Sequence, residues 1–260
     1  MKALKIFDDI SKDMRKKDLS RRDALREGLN FGLKSALMAL PLALVELKSN
    51  KAYAQSGSGV IDVLNYALTL EYLEAEFYQK GLDSNGLISG DHRPVMQQIS
   101  KHETAHVAVL TATIQDLGGT PVSKPTFDFT AGGTFADVFS NYETFLALSQ
   151  AFEDTGVRAY KGQAGNLLGQ EAITTAALNI HSVEARHASQ VRILRMQKGW
   201  ITGNSNSGLP AAIYAGEENI MQGGADMTSV TSVSEDRITE AFDEPLTMDQ
   251  VLAIAGLFIK

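Results

Sequence analysis

Four stretches of this chain repeat apolar residues with a helical period, and a glutamate interrupts each stripe near its middle. From Val60 to about Gly81, Leu64, Leu68, Ala75, Tyr78 and Leu82 fall on one line with Glu71 at its centre, while Glu74 lies about 60° off that line and Glu76 faces away. From Pro94 to Leu117 the line is Met96, Ile99, Glu103, His106, Leu110, Thr113 and Leu117, and Gly118-Gly119 stops it. Thr134-Phe-Ala-Asp137 reads as a cap for a third helix reaching about Leu168, with Phe139, Tyr142, Leu146, Gln150, Glu153, Val157, Tyr160 and Ala164 in register. Gly156, Gly162 and Gly165 predict bending or fraying toward its end. The fourth runs from about Gln170 to Lys198 through Ile173, Ala177, Ile180, Glu184, His187, Val191 and Leu194, and Gly199 ends it.

The connections set the topology. Gly81 to Asp91 and a turn near Gly169 are short, so helices one and two form a hairpin, as do three and four. Thr120 to Gly133, with two prolines, is a long crossover between the hairpins. The pattern predicts an all-α four-helix bundle. Periodicity is lost from Trp200 to Glu244, a stretch long enough to be unusual inside a compact domain. It is expected to wrap the bundle as an irregular C-terminal extension (199–260), before Thr247-Met-Asp-Gln250 caps a short final helix.

Composition narrows the chemistry. There is no cysteine, which excludes disulfides, iron–sulfur clusters and thiolate metal sites and leaves Glu, Asp and His as ligands. The net charge of -7 is unevenly spread: residues 1–54 carry 12 Lys+Arg against 7 Asp+Glu, and residues 55–260 carry 12 against 24. So acidic a body argues against nucleic acid as a partner. The basic leader (1–54) reads as an export signal. Ser20-Arg21-Arg22-Asp23-Ala24-Leu25 resembles the twin-arginine motif, an apolar stretch runs from Gly28 to Leu47, and Ala52-Tyr53-Ala54 forms a small-x-small cleavage site. The expectation is cleavage after Ala54 and a periplasmic protein delivered by the twin-arginine export machinery. An uncleaved anchor and a cytosolic helix are the alternatives, and Lys34, Pro41 and Glu46 weigh against a membrane span.

The candidate chemistry lies in the interrupted stripes. Glu103-Thr-Ala-His106 and Glu184-Ala-Arg-His187 are two E-x-x-H tetrads, preceded by Glu71 at 32 residues and Glu153 at 31. The hairpins are approximate repeats, since Tyr78 and Tyr160 each follow their glutamate by seven residues. Residues i and i+3 share a helix face with β-carbons roughly 5–6 Å apart, so each tetrad can offer a carboxylate and an imidazole to one metal. Any one of the six alone would pass as a satisfied core polar residue. Together they would bury four carboxylates with no Lys or Arg on the same stripes, and a metal pair removes that cost. Glu71, Glu103, His106, Glu153, Glu184 and His187 are therefore the candidate ligands, with Glu74 the substitute if the first helix is rotated. Tyr78 and Tyr160 stand as outer hydrogen-bond donors or plain core tyrosines; His181 as a support for Glu184 or a partly exposed side chain; His92 and His102 as surface residues.

LEYLEAEFY, ISKHETAHVAVL, FEDTGVRAY and SVEARHASQVRIL resemble segments of the ferritin-like superfamily, over about residues 59–198. They look most like its exported, desiccation-associated bacterial branch, and AFDEPLTMDQVLAIAGLF looks typical of that branch too. The resemblance implies a ferritin-like bundle holding two iron ions, with manganese as the alternative. It implies that Glu103 and Glu184 bridge them, that Glu71 with His106 completes one shell, and that Glu153 with His187 completes the other. Oxidase- or peroxidase-type activity toward iron, O2 or peroxide is the leading expectation. A di-manganese catalase, or a non-catalytic metal-binding or stress-protective envelope protein, is the alternative. A homo-oligomer is compatible with either, although the long tail argues against a storage cage.

Overall fold

The computed structural model describes residues 57–205 and 207–260; the export signal expected over residues 1–54, with cleavage after Ala54, lies outside the described residues. Four long helices carry the four stripes: α1 (Gly57–Asp83), α2 (Arg93–Asp116), α3 (Tyr142–Gln163) and α4 (Glu171–Leu194). α1 packs on α2 and α3 on α4, and the closer seam between the hairpins runs between α1 and α3. This is an all-α four-helix bundle built from two hairpins. Among the described residues no helix is long and apolar enough to cross a membrane.

Each stripe buries an apolar block, a polar middle and a second apolar block. One core gathers Phe77, Met96, Phe145, Phe152 and Val191, with the rings of Phe77 and Phe145 stacked at 4.7 Å. The other gathers Leu64, Leu68, Leu110, Ile173 and Ile180. Because the helices alternate in direction, Glu71, Glu103, Glu153 and Glu184 all fall in the layer between these cores.

Three boundaries differ from the sequence expectation. α1 begins at Gly57, within the Ser56–Gly59 stretch that reads as a link. α3 begins at Tyr142, eight residues after Thr134. The Thr134 hydroxyl bonds back to the Ala131 carbonyl, and the cap is Asn141, whose side chain accepts from the Glu143 amide at 3.1 Å. α4 stops at Leu194 rather than Lys198. Met196 takes a left-handed φ of 60°, and the amides of Met196 and Gln197 return to the carbonyls of Ile193 and Arg192, a Schellman-type end. At the other end of α3 the helix tightens into a 3-10 turn over Ala164–Leu167, as its glycines foretell.

The C-terminal region lies on the outer side of α3 and α4. It contains a two-stranded ribbon, β1 (Met221–Gln222) with β2 (Ala225–Asp226), then α5 (Glu235–Thr239) and α6 (Met248–Ala255). Thr247 and Gln250 form the expected capping box at α6. Beyond it the chain pairs with the crossover, Asp128 N donating to Phe258 O at 2.8 Å and Lys260 N to Thr126 O at 3.0 Å. Gly162 lets the tail approach: a β-carbon there would stand 2.0 Å from the Leu246 carbonyl oxygen.

Candidate metal centre

The six side chains singled out from the stripes meet in the polar layer. Glu71 and Glu103 are fully buried there, as are Glu153 and Glu184, with His106 8% and His187 5% exposed. Nδ1 of His106 lies 3.1 Å from Glu71 Oε2, 3.2 Å from Glu103 Oε2 and 3.1 Å from Glu184 Oε1. Nδ1 of His187 lies 2.8 Å from Glu103 Oε1 and 3.3 Å from Glu153 Oε2. Two groups of four donors result, Glu71–Glu103–His106–Glu184 and Glu103–Glu153–Glu184–His187, each drawn within 4.8 Å. Glu103 and Glu184 belong to both groups.

His106 Nδ1 hydrogen-bonds Glu71 Oε2 and Glu103 Oε2, but elsewhere in the cluster proximity is not hydrogen bonding. His187 Nδ1 and Glu103 Oε1 are 2.8 Å apart, yet their angles leave both unsatisfied, and the same holds for Glu153 Oε2 and both oxygens of Glu184. Buried polar atoms are ordinarily paired, so five such atoms in one spot mark a place for something they bind in common. An oxygen-rich set completed by two imidazoles suits iron or manganese, and also zinc.

A seventh residue joins them. Glu74 is 3% exposed and feels the charges of Glu184, Glu153, Glu103 and Glu71. α1 thus turns both Glu71 and Glu74 into the layer, three residues apart like the two tetrads, so Glu74 accompanies Glu71 rather than replacing it. Gly156 makes the room: a β-carbon there would sit 3.3 Å from both Glu74 Oε1 and Glu184 Oε2.

Electrostatics follow from burial. Desolvation, then neighbouring carboxylates, pushes Glu74 and Glu184 well above the usual carboxylate range. Burial also lifts Glu71 to about 7 against the pull of His106, and lifts Glu153 against that of His187. Glu103 is the exception. Its burial is outweighed by the hydrogen bond from His106 and by the close charges of both imidazoles, which hold it low. Burial pushes both histidines down, but the surrounding carboxylates hold them well above their usual value. Five carboxylates face at most two imidazolium charges. Without a cation the layer must hold protons.

Tyrosines cross between the hairpins. Tyr78 of α1 donates to Glu153 Oε1 of α3 and Tyr160 of α3 donates to Glu71 Oε1 of α1, each at 2.5 Å. Each orients the other helix's carboxylate, and burial holds both phenols protonated. His102, expected at the surface, is instead half-buried, with Nδ1 2.8 Å from His187 Nε2 and Nε2 2.7 Å from Gln98 Nε2. The two imidazoles are nearly coplanar, 12° apart, with centroids separated by 5.1 Å, the geometry of rings bonded edge to edge. Burial and the adjacent imidazoles push His102 down to about 4, so it stays neutral. If His187 gives its Nδ1 lone pair to a metal, its proton sits on Nε2 and points at His102. His181 turns to the backbone of Val157 and His92 to the Tyr142 hydroxyl at 2.8 Å, so neither joins the cluster.

A family model described as "Ferritin-like domain" matches residues 59–197, a span that holds all seven of these carboxylates and imidazoles. A search of curated proteins finds no match to the chain.

Proposed function

The chain belongs to the ferritin-like domain family, and from that membership we propose that it is a di-metal carboxylate protein, holding two iron ions in preference to manganese. The observation that carries this reading is the set of buried, unpaired donor atoms on Glu103, Glu153, Glu184 and His187. Glu103 and Glu184, which belong to both donor groups, would help to hold both ions. Glu71 with His106 would serve one of them and Glu153 with His187 the other. Bound there, two redox-active ions would together supply the electron pair that reduces O2 or peroxide, giving oxidase- or peroxidase-type chemistry.

The chain's own residues prepare that chemistry. Tyr160 and Tyr78 hold Glu71 and Glu153 in place. His102 holds the proton on His187 Nε2 when Nδ1 is needed as a ligand. Two apolar cores keep bulk water from the layer, which strengthens its electrostatics. The leader and the sequence likeness to the exported, desiccation-associated branch support a role in the cell envelope, reached by twin-arginine export. The long tail favours a second reading, a protective metal-binding protein in which the ions serve stability.

The test is metal loading of the purified metal-free protein under anaerobic conditions, with elemental analysis, followed by exposure to O2 or hydrogen peroxide. Two ions per chain and turnover are expected. Full loading without turnover selects the protective reading. Fewer than about one ion per two chains would refute the di-metal site, whose donor count requires a pair.

A further inference from the structure

Under the tail, on the outer face of α3 and α4, lies a cavity of about 130 Å³ that the candidate ligands do not use. Its floor follows those ligands by one residue on both helices: Asp154 after Glu153, Ala185 after Glu184 and Ala188 after His187. Its roof is formed by residues 199–201 and 240–243 of the tail. At roughly 30 Å³ per water it has room for about four of them, enough for a small organic molecule and too little for an acyl chain or a nucleotide. Trp200 and Ala241 are exposed, which sets its mouth on the solvent side.

Val157, Ala188, Ile201 and Phe242 make part of the wall apolar, and three polar groups on it have bonding capacity left. Arg192 is 4% exposed and carries five N–H donors; two grip Asp154 and one reaches the Trp200 carbonyl, so two remain. The Ser189 hydroxyl, beside Gly199, makes no bond among the described residues. The Asp243 carbonyl accepts from Lys161, itself exposed to water, but the Asp243 carboxylate has no hydrogen bond or ion pair among the described residues. It stands close enough to Arg192 and His181 for its charge to act on both. The neighbouring charges are already matched: Asp154 neutralises Arg192, and Glu240 is held by Lys198 and Arg237. Asp243 is the carboxylate left over. A cation satisfies it, and the aromatic surface of Trp200 and Phe242 favours an ammonium ion. Arg192 and Ser189 offer donors, so the same guest needs an oxygen acceptor. A hydroxyl suits them better than a carboxylate, because Asp154 stands directly behind Arg192 and repels a second anion.

We propose that this cavity is a binding site for a small organic ammonium ion carrying a hydroxyl group, an amino alcohol. The ammonium pairs with Asp243, while the hydroxyl oxygen accepts from Arg192 and shares a hydrogen bond with Ser189. None of these three groups is a candidate metal ligand, so the site stands or falls independently of the di-metal reading.

Trp200 is the chain's only tryptophan, so its fluorescence reports on the cavity wall. Titrating the full chain with ethanolamine at constant ionic strength should give a saturable change in the millimolar range, the scale a ligand of this size allows. Methyl NMR should place the largest shifts at Ala185 and Ala188 and spare Ala67, in the apolar core of Leu68 and Leu110. Ethylamine lacks the oxygen, ethylene glycol lacks the charge, and glycine adds a carboxylate. Each should bind at least about tenfold more weakly, the loss of one charge-assisted contact. Asp243→Asn should weaken ethanolamine about tenfold and leave metal loading at the native level. Ser189→Ala should weaken ethanolamine but not ethylamine, and it carries the test if the Asp243 variant does not fold. No saturation by ethanolamine, or shifts at Ala67 as large as at Ala185 and Ala188, would overturn the proposal. Tighter binding of ethylene glycol or glycine than of ethanolamine would overturn it too, as would undiminished ethanolamine binding by the folded variants.

Discussion

Glu184→Gln should make the metal-free protein more stable and the metal-exposed protein less so. Glu184 is fully buried, neither carboxylate oxygen has a hydrogen-bond partner, and burial, then the charge of Glu103 and its neighbours, raises its pKa well above 4.5. A carboxyl group that must keep its proton in the folded state at pH 7, while ionising freely with a pKa of 4.5 when unfolded, costs about 3 kcal/mol. Glutamine has the same shape and no such cost, and its amide can donate to the carboxylates around it. The sign follows from linkage. A raised folded pKa contributes stability fully present below pH 4.5 and lost as pH rises, so the variant's advantage should vanish near pH 4.5 and grow toward neutrality. At pH 7 the gain in Tm is at most roughly 10 °C for a domain of this size. With metal the order reverses. At a free metal concentration of 100 Kd the native chain gains about 2.7 kcal/mol per site, while the variant, having lost a ligand shared by both donor groups, gains little at either. Thermal melts of both proteins at pH 4.5 and 7, with and without metal, contain the whole test. A Gln variant that melts lower than the native chain when metal-free would show that Glu184 stabilises the empty fold, and the argument for a metal there would collapse.

Three further outcomes follow from other contacts. His102→Phe removes the partner of His187 Nε2 and should weaken the His187-side ion about 10–100-fold while sparing the His106-side ion; His102→Gln, which can still accept, should restore much of it, as stepwise metal titration would reveal. Metal uptake should release protons and strengthen as pH rises through about 7, because Glu71 must ionise and both histidines must lose protons that the carboxylates hold; calorimetry in buffers of different ionisation enthalpy counts the protons, and none released would contradict the cluster electrostatics. Arg158→Met should cost roughly 3–5 kcal/mol in denaturant unfolding, since it strips a buried guanidinium from Glu217 at 2.8 Å and from three carbonyls of the tail.

The bundle is legible in the sequence because each long helix shows one apolar stripe, and a glutamate on such a stripe has nowhere to go but inward. The same reasoning places the two tetrads, whose i and i+3 spacing leaves little freedom. Glu74 is harder to read because 60° of helix rotation separates core from boundary only when the opposing surface is known. What draws it inside is the missing side chain of Gly156, on a helix 82 positions away, which reads in sequence only as a weak helix former. His102 escapes for a related reason. A lone histidine beside a tetrad looks solvated until α4 brings His187 against it. The start of α3 misleads because Thr134 and Asp137 have the right chemistry for a cap but spend it in turns after Gly132 and Gly133.

α3 explains why a bundle should need so long a tail. Nearly every residue from Phe145 to Ala159 is buried, on all sides of the helix. Glu153 faces the polar layer, while the adjacent Asp154 points outward to Arg192 and to the Tyr214 hydroxyl at 2.7 Å. Gln150 accepts from Arg195 and donates to the same tyrosine, and Arg158 binds the carbonyls of Ile213, Ala215 and Glu244. A helix that turned these groups to a lipid-like core would be intolerable, and one that turned them to water would tolerate motion. Covered by the tail, they lock the rotation and height of α3 through a hydrogen-bonded network on the face that flanks Glu153. Glu153 and Gly156 can then hold their places against Tyr78 and Glu74, as a site of converging side chains with a tolerance of about 0.5 Å demands. The tail's role in this geometry is to fix, from outside, the helix that contributes only one candidate ligand, Glu153, and has no tetrad of its own.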